Sequence, residues 1–153
     1  MLRRRTAALL LVCPALLLTG CAKGVPVSVP SPEPTGQGYF LCATLKGQLP
    51  EEVLGQGSTP TDPWSSLLTA WGDPAIVVRC GVPDPEALTE TSQLVTVDDV
   101  DWFPEELERG YVFTTYGRTL NIEVTVPDAY QPEIDALVEL SPAVAATIPL
   151  ADG

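Results

Sequence analysis

Arg3, Arg4 and Arg5 stand before an apolar run from Ala7 to Leu18, and Leu18-Thr19-Gly20-Cys21 follows at once. This leader decides how much of the chain is left to fold. A positive n-region followed by about a dozen apolar residues reads as a secretory signal occupying residues 1–20. At 1.5 Å per residue the apolar run makes about 18 Å of helix, short of a hydrocarbon core near 30 Å. It is therefore expected to direct export and not to remain as a span. Of the 153 residues, what remains suffices for a single domain of ordinary size.

Leu-Thr-Gly-Cys resembles the bacterial lipobox, in which the cysteine sulfur takes a diacylglyceryl group and becomes the first residue after cleavage. Cys21 is then the lipid attachment site, and the protein is expected outside the cytoplasmic membrane, lipid-anchored to its outer face. A plain secretory signal cut near Ala22, with Cys21 incidental, is the alternative. The chain has 4 cysteines: Cys13 leaves with the leader, Cys21 is used for lipid, and Cys42 and Cys80 remain. In an oxidising compartment they form one disulfide, expected to contribute about 4 kcal/mol by closing a loop of about 39 residues.

Between Ala22 and Gln37 stand Pro26, Pro30, Pro32 and Pro34, with Gly, Ser and Val among them. No helical or strand period runs through the segment, so residues 21–37 are expected to form a lipidated, proline-rich tether. At about 3.1 Å per residue it would lift the domain up to roughly 50 Å from the lipid. The single globular domain is then residues 38–153.

Within that domain the first expected element is a short helix from Tyr39 to Lys46, ended by Gly47. Asp62-Pro63 reads as the start of a second helix, with Trp64, Leu67, Leu68 and Trp71 at helical spacing and Gly72 at its end. Ala75 to Cys80 is a strand, with Ile76, Val78 and Cys80 on one face and Val77 and Arg79 on the other. Gln93 to Val97 and Val100 to Phe103 are strands joined by a turn at Asp98-Asp99. Gly117-Arg118 reads as a two-residue hairpin turn, pairing Phe113 with Ile122 and Tyr111 with Val124. Its mainly apolar face is Tyr111, Phe113, Thr115, Leu120, Ile122 and Val124, and its other, mostly polar, face is Val112, Thr114, Asn121 and Glu123. Ile134, Leu137 and Val138 form a helical stripe, and Ser141-Pro142 starts a further short helix that Pro149 stops. The expected fold class is α+β, a mainly antiparallel sheet of about four strands with short helices packed on one face.

Charge and residue types narrow the chemistry. Taking Arg3, Arg4 and Arg5 from the 8 basic residues, against 20 acidic ones, leaves the remaining chain at −15. Nucleic acid is not an expected partner, because phosphate neutralisation needs clustered Lys and Arg. The chain has no histidine, which removes the Ser-His-Asp and Cys-His arrangements and imidazole-based zinc sites. No cofactor is expected. Asp98, Asp99, Asp101, Glu105, Glu106 and Glu108 form the densest acidic run, which is read as a solvated turn and not a metal site, since the glycine of a calcium loop is missing. Arg79 and Arg118, with Trp102, are the candidate ligand-binding residues, suited to a carboxylate or phosphate on a wall or lipid precursor. The competing reading pairs each arginine with an internal acid such as Asp73 or Asp101, and puts Trp102 in the core with Trp64 and Trp71.

Cys42, Leu49-Pro50, Trp71-Gly72-Asp73-Pro74, Arg79-Cys80-Gly81-Val82-Pro83, Asp101-Trp102-Phe103, Thr115-Tyr116-Gly117-Arg118 and Val124-Thr125-Val126-Pro127 together resemble an uncharacterised family of actinobacterial lipoproteins, a domain of unknown function. The resemblance covers Cys42 to Pro149 and implies a secreted, membrane-anchored setting without implying an activity. Members of that family often carry basic residues between the Leu-Pro pair and the tryptophan, and Glu51 to Thr61 has none. The expected function is that of a cell-envelope lipoprotein acting as a non-catalytic binding or accessory module. Its partners would be the membrane, through the lipid anchor, and an envelope protein or a wall or lipid precursor. The alternative is a carboxylate-dependent hydrolase acting on envelope glycans, which needs two carboxylates about 5 to 10 Å apart.

Overall fold

The computed structural model describes residues 26–152. Two α-helices, α1 (Gln37–Lys46) and α2 (Asp135–Thr147), accompany a series of strands, of which all but the first lie between them in the chain. In chain order these are β1 (Val27–Ser28), β2 (Glu52–Val53), β3 (Gln56–Thr59), β4 (Thr61–Asp62), β5 (Leu68–Trp71), β6 (Ile76–Val82), β7 (Val95–Val97), β8 (Val100–Leu107), β9 (Gly110–Tyr116) and β10 (Asn121–Pro127). Eight of them form one sheet in the order β2-β3-β5-β6-β10-β9-β8-β7, while β1 pairs with β4 in a separate parallel ribbon. Every pairing in the large sheet is antiparallel. The α+β class holds, with a sheet of eight strands where about four were expected.

The sheet's inner face is written in the alternation of its strands. Ile76, Val78 and Cys80 of β6 join Ile122, Val124 and Val126 of β10, Phe113 of β9 and Val100 and Trp102 of β8 in one core. Both helices lie on this face: α1 supplies Cys42 and Leu45, α2 supplies Ala136, Leu137, Leu140 and Val144. The Cys42–Cys80 disulfide, with 5.6 Å between Cα atoms, ties α1 to β6. The outer face is less polar than expected. Leu68, Ala70, Val77, Phe103 and Thr114, which alternation and register place there, are all buried.

Several local expectations are corrected. The Trp64–Trp71 stretch is not a helix: Leu68–Trp71 is a strand that pairs with β6, Leu68 opposite Arg79 and Trp71 opposite Ile76. Its spacing fits a helix as well as a strand, but the ladder to β6 satisfies its backbone and buries Leu68, Ala70 and Trp71. Gly72 then turns the β5–β6 hairpin at φ +77°, where an added Cβ would meet the Tyr130 hydroxyl and Gln56. The β9–β10 hairpin closes two residues later than a Gly117-Arg118 turn requires, so Phe113 faces Val124 and Tyr111 faces Val126. A slip of two residues keeps every side chain on its expected face. At the other end, Ser141-Pro142 does not begin a helix. Pro142 lies inside α2 on its exposed side, and Val138, expected in the apolar stripe, is 53% exposed. The carbonyl that Pro142 cannot engage is that of Val138, on the solvent side, which limits the usual cost of an interior proline.

The segment expected as a free tether is partly docked. Val27 N–H donates to Pro60 O at 2.8 Å, and Val27 and Ser28 lie in register with Thr61 and Asp62. Pro32 is buried, and Pro34 packs against Gly81, whose φ of +91° and missing side chain leave room for the ring. The span of 50 Å expected of residues 21–37 is thus reduced to whatever lies before Pro26. The leader and Cys21 lie outside the described residues. Among the described residues no helix is long and apolar enough to cross a membrane.

Candidate functional site

The arginines expected to bind a ligand are engaged within the fold. Arg79 pairs with Glu123 directly across the β6–β10 ladder, Nη1 to Oε1 at 2.9 Å, and not with Asp73 or Asp101. Arg118 forks between two backbone carbonyls, Nη1 to Ile148 O at 2.7 Å and Nη2 to Asp99 O at 2.8 Å. It thereby joins the hairpin loop to the end of α2 and to the β7–β8 turn. Trp102 is 0% exposed and donates its indole N–H to Ser141 Oγ at 3.1 Å. Its expected place beside the arginines at a binding surface is corrected: alternation turns it to the inner face, beneath α2. Arg79 and Trp102 point to opposite faces of the sheet. The three do not converge.

The acidic run is also dispersed. Asp98 and Asp99 form the two-residue β7–β8 turn with positive φ of 47° and 62°, a conformation that Asp tolerates better than most residues. Asp101 accepts a hydrogen bond from Thr96 Oγ1 at 2.6 Å across the hairpin. Glu105 and Glu106 are successive residues of β8 and so turn to opposite faces. Among the described residues no group of three or more metal-ligating side chains comes together.

A different residue gathers chemistry around it. Lys46 closes α1, where a cation complements the negative end of the helix. Its Nζ donates to Ser65 O at 2.6 Å and Leu68 O at 2.8 Å, and stands 5.3 Å from the centre of the Trp64 ring. The ammonium is thus shared between two carbonyls that cap the loop before β5 and an aromatic face. Partial burial holds its pKa below the ordinary lysine value of 10.5.

Beside this lysine opens a cleft of about 530 Å³, lined by Lys46, Leu49, Glu51, Glu52, Ser58 and Trp71 among others. A smaller hollow of about 180 Å³ shares Lys46, Ser58 and Thr69 with it and has Trp64 at its rim. The floor is set by Trp71, which is buried and held by its indole N–H to Pro50 O at 3.1 Å. Trp64, by contrast, is 82% exposed. An apolar floor, one cation, two carboxylates and the hydroxyl of Ser58 give the cleft the mixed lining typical of small-ligand sites. Sequence reasoning missed this place. Its available signal was the scarcity of basic residues after the leader: Lys46 is one of very few, and it falls at a helix end.

No curated protein and no solved structure matches the chain. A family model described as a protein of unknown function, DUF3515, does match, over residues 6–152, and by that span the chain belongs to this family.

Proposed function

We propose that the protein is a lipoprotein, anchored through Cys21 to the outer face of the cytoplasmic membrane, that acts as a non-catalytic binding or accessory module and takes its ligand in the cleft beside Lys46. The observation that carries this reading is the cleft itself, where the Lys46 ammonium, the Glu51 and Glu52 carboxylates and the hydroxyl of Ser58 surround a floor set by Trp71. Such a mixed lining suits an envelope molecule that presents hydroxyls or charges of both signs next to an apolar or sugar face. The chemistry asks nothing of Lys46 beyond a charge and a direction. The leader, the lipobox-like Leu18-Thr19-Gly20-Cys21 and the Cys42–Cys80 disulfide support the reading of a domain in an oxidising compartment.

The test is photocrosslinking in live cells from a reactive residue introduced at Ser58 in the full-length chain. Reproducible capture of one envelope component, lost on Lys46→Met at unchanged protein level, supports the reading. Capture of nothing overturns it. Capture of a glycan that the purified protein then cleaves, with cleavage lost on Glu51→Gln or Glu52→Gln, replaces it with a carboxylate-dependent hydrolase.

A further inference from the structure

Resting on the lipoprotein reading, we infer that the anchored domain lies directly on the bilayer, with the corner built from β1, β4 and the loop after β4 turned to the lipid, and that Trp64 enters the membrane interface there.

The first support is where the chain leaves the domain. Residues from Val27 onward are paired or packed against it, through the Val27 N–H to Pro60 O bond, the Ser28–Asp62 register and the seat of Pro34 on Gly81. Between Cys21 and Pro26 there are five residue steps, which reach at most about 17 Å even fully extended. An acyl chain on Cys21 therefore keeps the point where the leash joins the domain within about 17 Å of the lipid attachment. A domain on a long tether would be free to present any face. One held this closely presents the face from which its leash emerges.

The second support is what stands at that corner. Trp64 lies four residues beyond Pro60, beside which the leash joins the parallel β1–β4 ribbon, and is 82% exposed, while Trp71 and Trp102 are 1% and 0% exposed. Indole is the side chain most at home at the headgroup level, where its ring is apolar and its N–H stays wet. Lys46 stands against the ring, 5.3 Å from its centre, and through its bonds to Ser65 O and Leu68 O steadies the loop that carries Trp64.

The third support is charge. The Asp98-Asp99 turn and its flanking acids belong to β7 and β8, and the sheet order puts four strand spacings between β5 and β8, about 19 Å. That is about two Debye lengths at physiological salt, so this acidic hairpin is screened from an anionic surface that touches the Trp64 corner, and the repulsion left for the acyl anchor to offset is that of the exposed Glu33 and Asp62. The acyl anchor supplies the affinity, and Trp64 supplies the orientation.

The experiment places the purified, full-length lipidated protein in vesicles of phosphatidylethanolamine and phosphatidylglycerol, with and without lipids brominated along their acyl chains. Tryptophan emission is then read alongside the intact mass. The expected result is a blue-shifted emission, part of which is lost to the brominated lipid, and that quenchable part disappears in Trp64→Ser while the protein still floats with the vesicles. An acylated protein whose emission ignores the brominated lipid overturns the inference and leaves the anchor standing. A mass without acyl groups on Cys21 overturns both.

Discussion

The indole N–H of Trp102 donates to the hydroxyl of Ser141 at 3.1 Å, and both residues are fully buried between β8 and α2. This bond ties α2 to β8, whereas the other buried hydroxyl of that face, Thr115 Oγ1, accepts from Ile122 N–H within the sheet. Removing the hydroxyl leaves the indole donor without water and without a partner. Ser141→Ala is expected to destabilise the domain by about 1–3 kcal/mol, read as a lower urea midpoint at unchanged slope. An unchanged midpoint would mean that the indole finds another acceptor and that the bond does not fix α2.

Arg118 is expected to behave as a fold residue. Its two donors reach Ile148 O and Asp99 O, and the same loop is paired to the C-terminal segment by Thr119 N–H to Pro149 O and Ala151 N–H to Gly117 O, each at 2.9 Å. A lysine ends in a single point charge and lacks the planar fork that spans the two carbonyls. Arg118→Ala and Arg118→Lys should therefore both lower the melting temperature, the lysine variant recovering only part of the loss. The Ser58 crosslink should persist in both. Loss of capture at full stability would instead restore Arg118 to the ligand site.

This loop also shows why the hairpin register was not legible. Phe113, Ile122 and Val124 gave the apolar face, and period-two alternation is blind to a slip of two. The closing loop is lengthened by the Pro149–Ala151 segment that pairs along it, a contact between residues some 30 positions apart. Local turn chemistry at Gly117-Arg118 carries no trace of it. The Asp98-Asp99 turn, whose two positive-φ residues close β7–β8 without outside help, was legible for the opposite reason. The helix expected on Trp64, Leu67, Leu68 and Trp71 does not form although their spacing is helical, because pairing of Leu68–Trp71 with β6, which local spacing does not encode, decides the structure. The disulfide was legible by counting cysteines. The Lys46 cleft was not, because its two walls, α1 and the β3–β5 ladder, are unrelated in sequence and meet only when folded.

Lys46 gives a pH dependence with a definite sign. Burial lowers its folded-state pKa below the ordinary 10.5, so between those two values the unfolded chain binds more protons than the native one. Stability therefore rises with pH through that window, as the cost of burying the ammonium is relieved. Tyr130, whose pKa burial raises above 10.0, works the other way once the unfolded tyrosine ionises. Urea midpoints of wild type and Lys46→Met should therefore be compared up to the onset of tyrosine ionisation, where the lysine contribution stands alone. The wild type is expected to gain on the variant as pH rises. Parallel curves would show that the two carbonyl bonds to Ser65 and Leu68 cancel the effect of burial.

The docking of residues 26–36 turns on Gly81. Its φ is +91°, and an added Cβ would stand 2.7 Å from Pro34 Cγ. An alanine there suffers twice, from a backbone conformation that L residues avoid and from a contact that real Cβ atoms do not make. Gly81 is the residue that the β10 ladder slips past, between the Val82–Asn121 and Cys80–Ile122 pairs that fix β6 on either side of it, and Cys80 is cross-linked to α1, so the proline segment is the partner freer to move. Gly81→Ala is expected to cost about 1–3 kcal/mol and to release the segment, so that limited proteolysis cuts between Val27 and Thr35 while the disulfide-linked domain stays whole. Freed, that segment adds about ten residues of reach at roughly 3.1 Å each. The variant should then lose the brominated-lipid quenching of Trp64 while remaining on the membrane. Retained quenching in a proteolytically opened Gly81→Ala protein would show that Trp64 reaches the bilayer by its own affinity and not because the chain is held short.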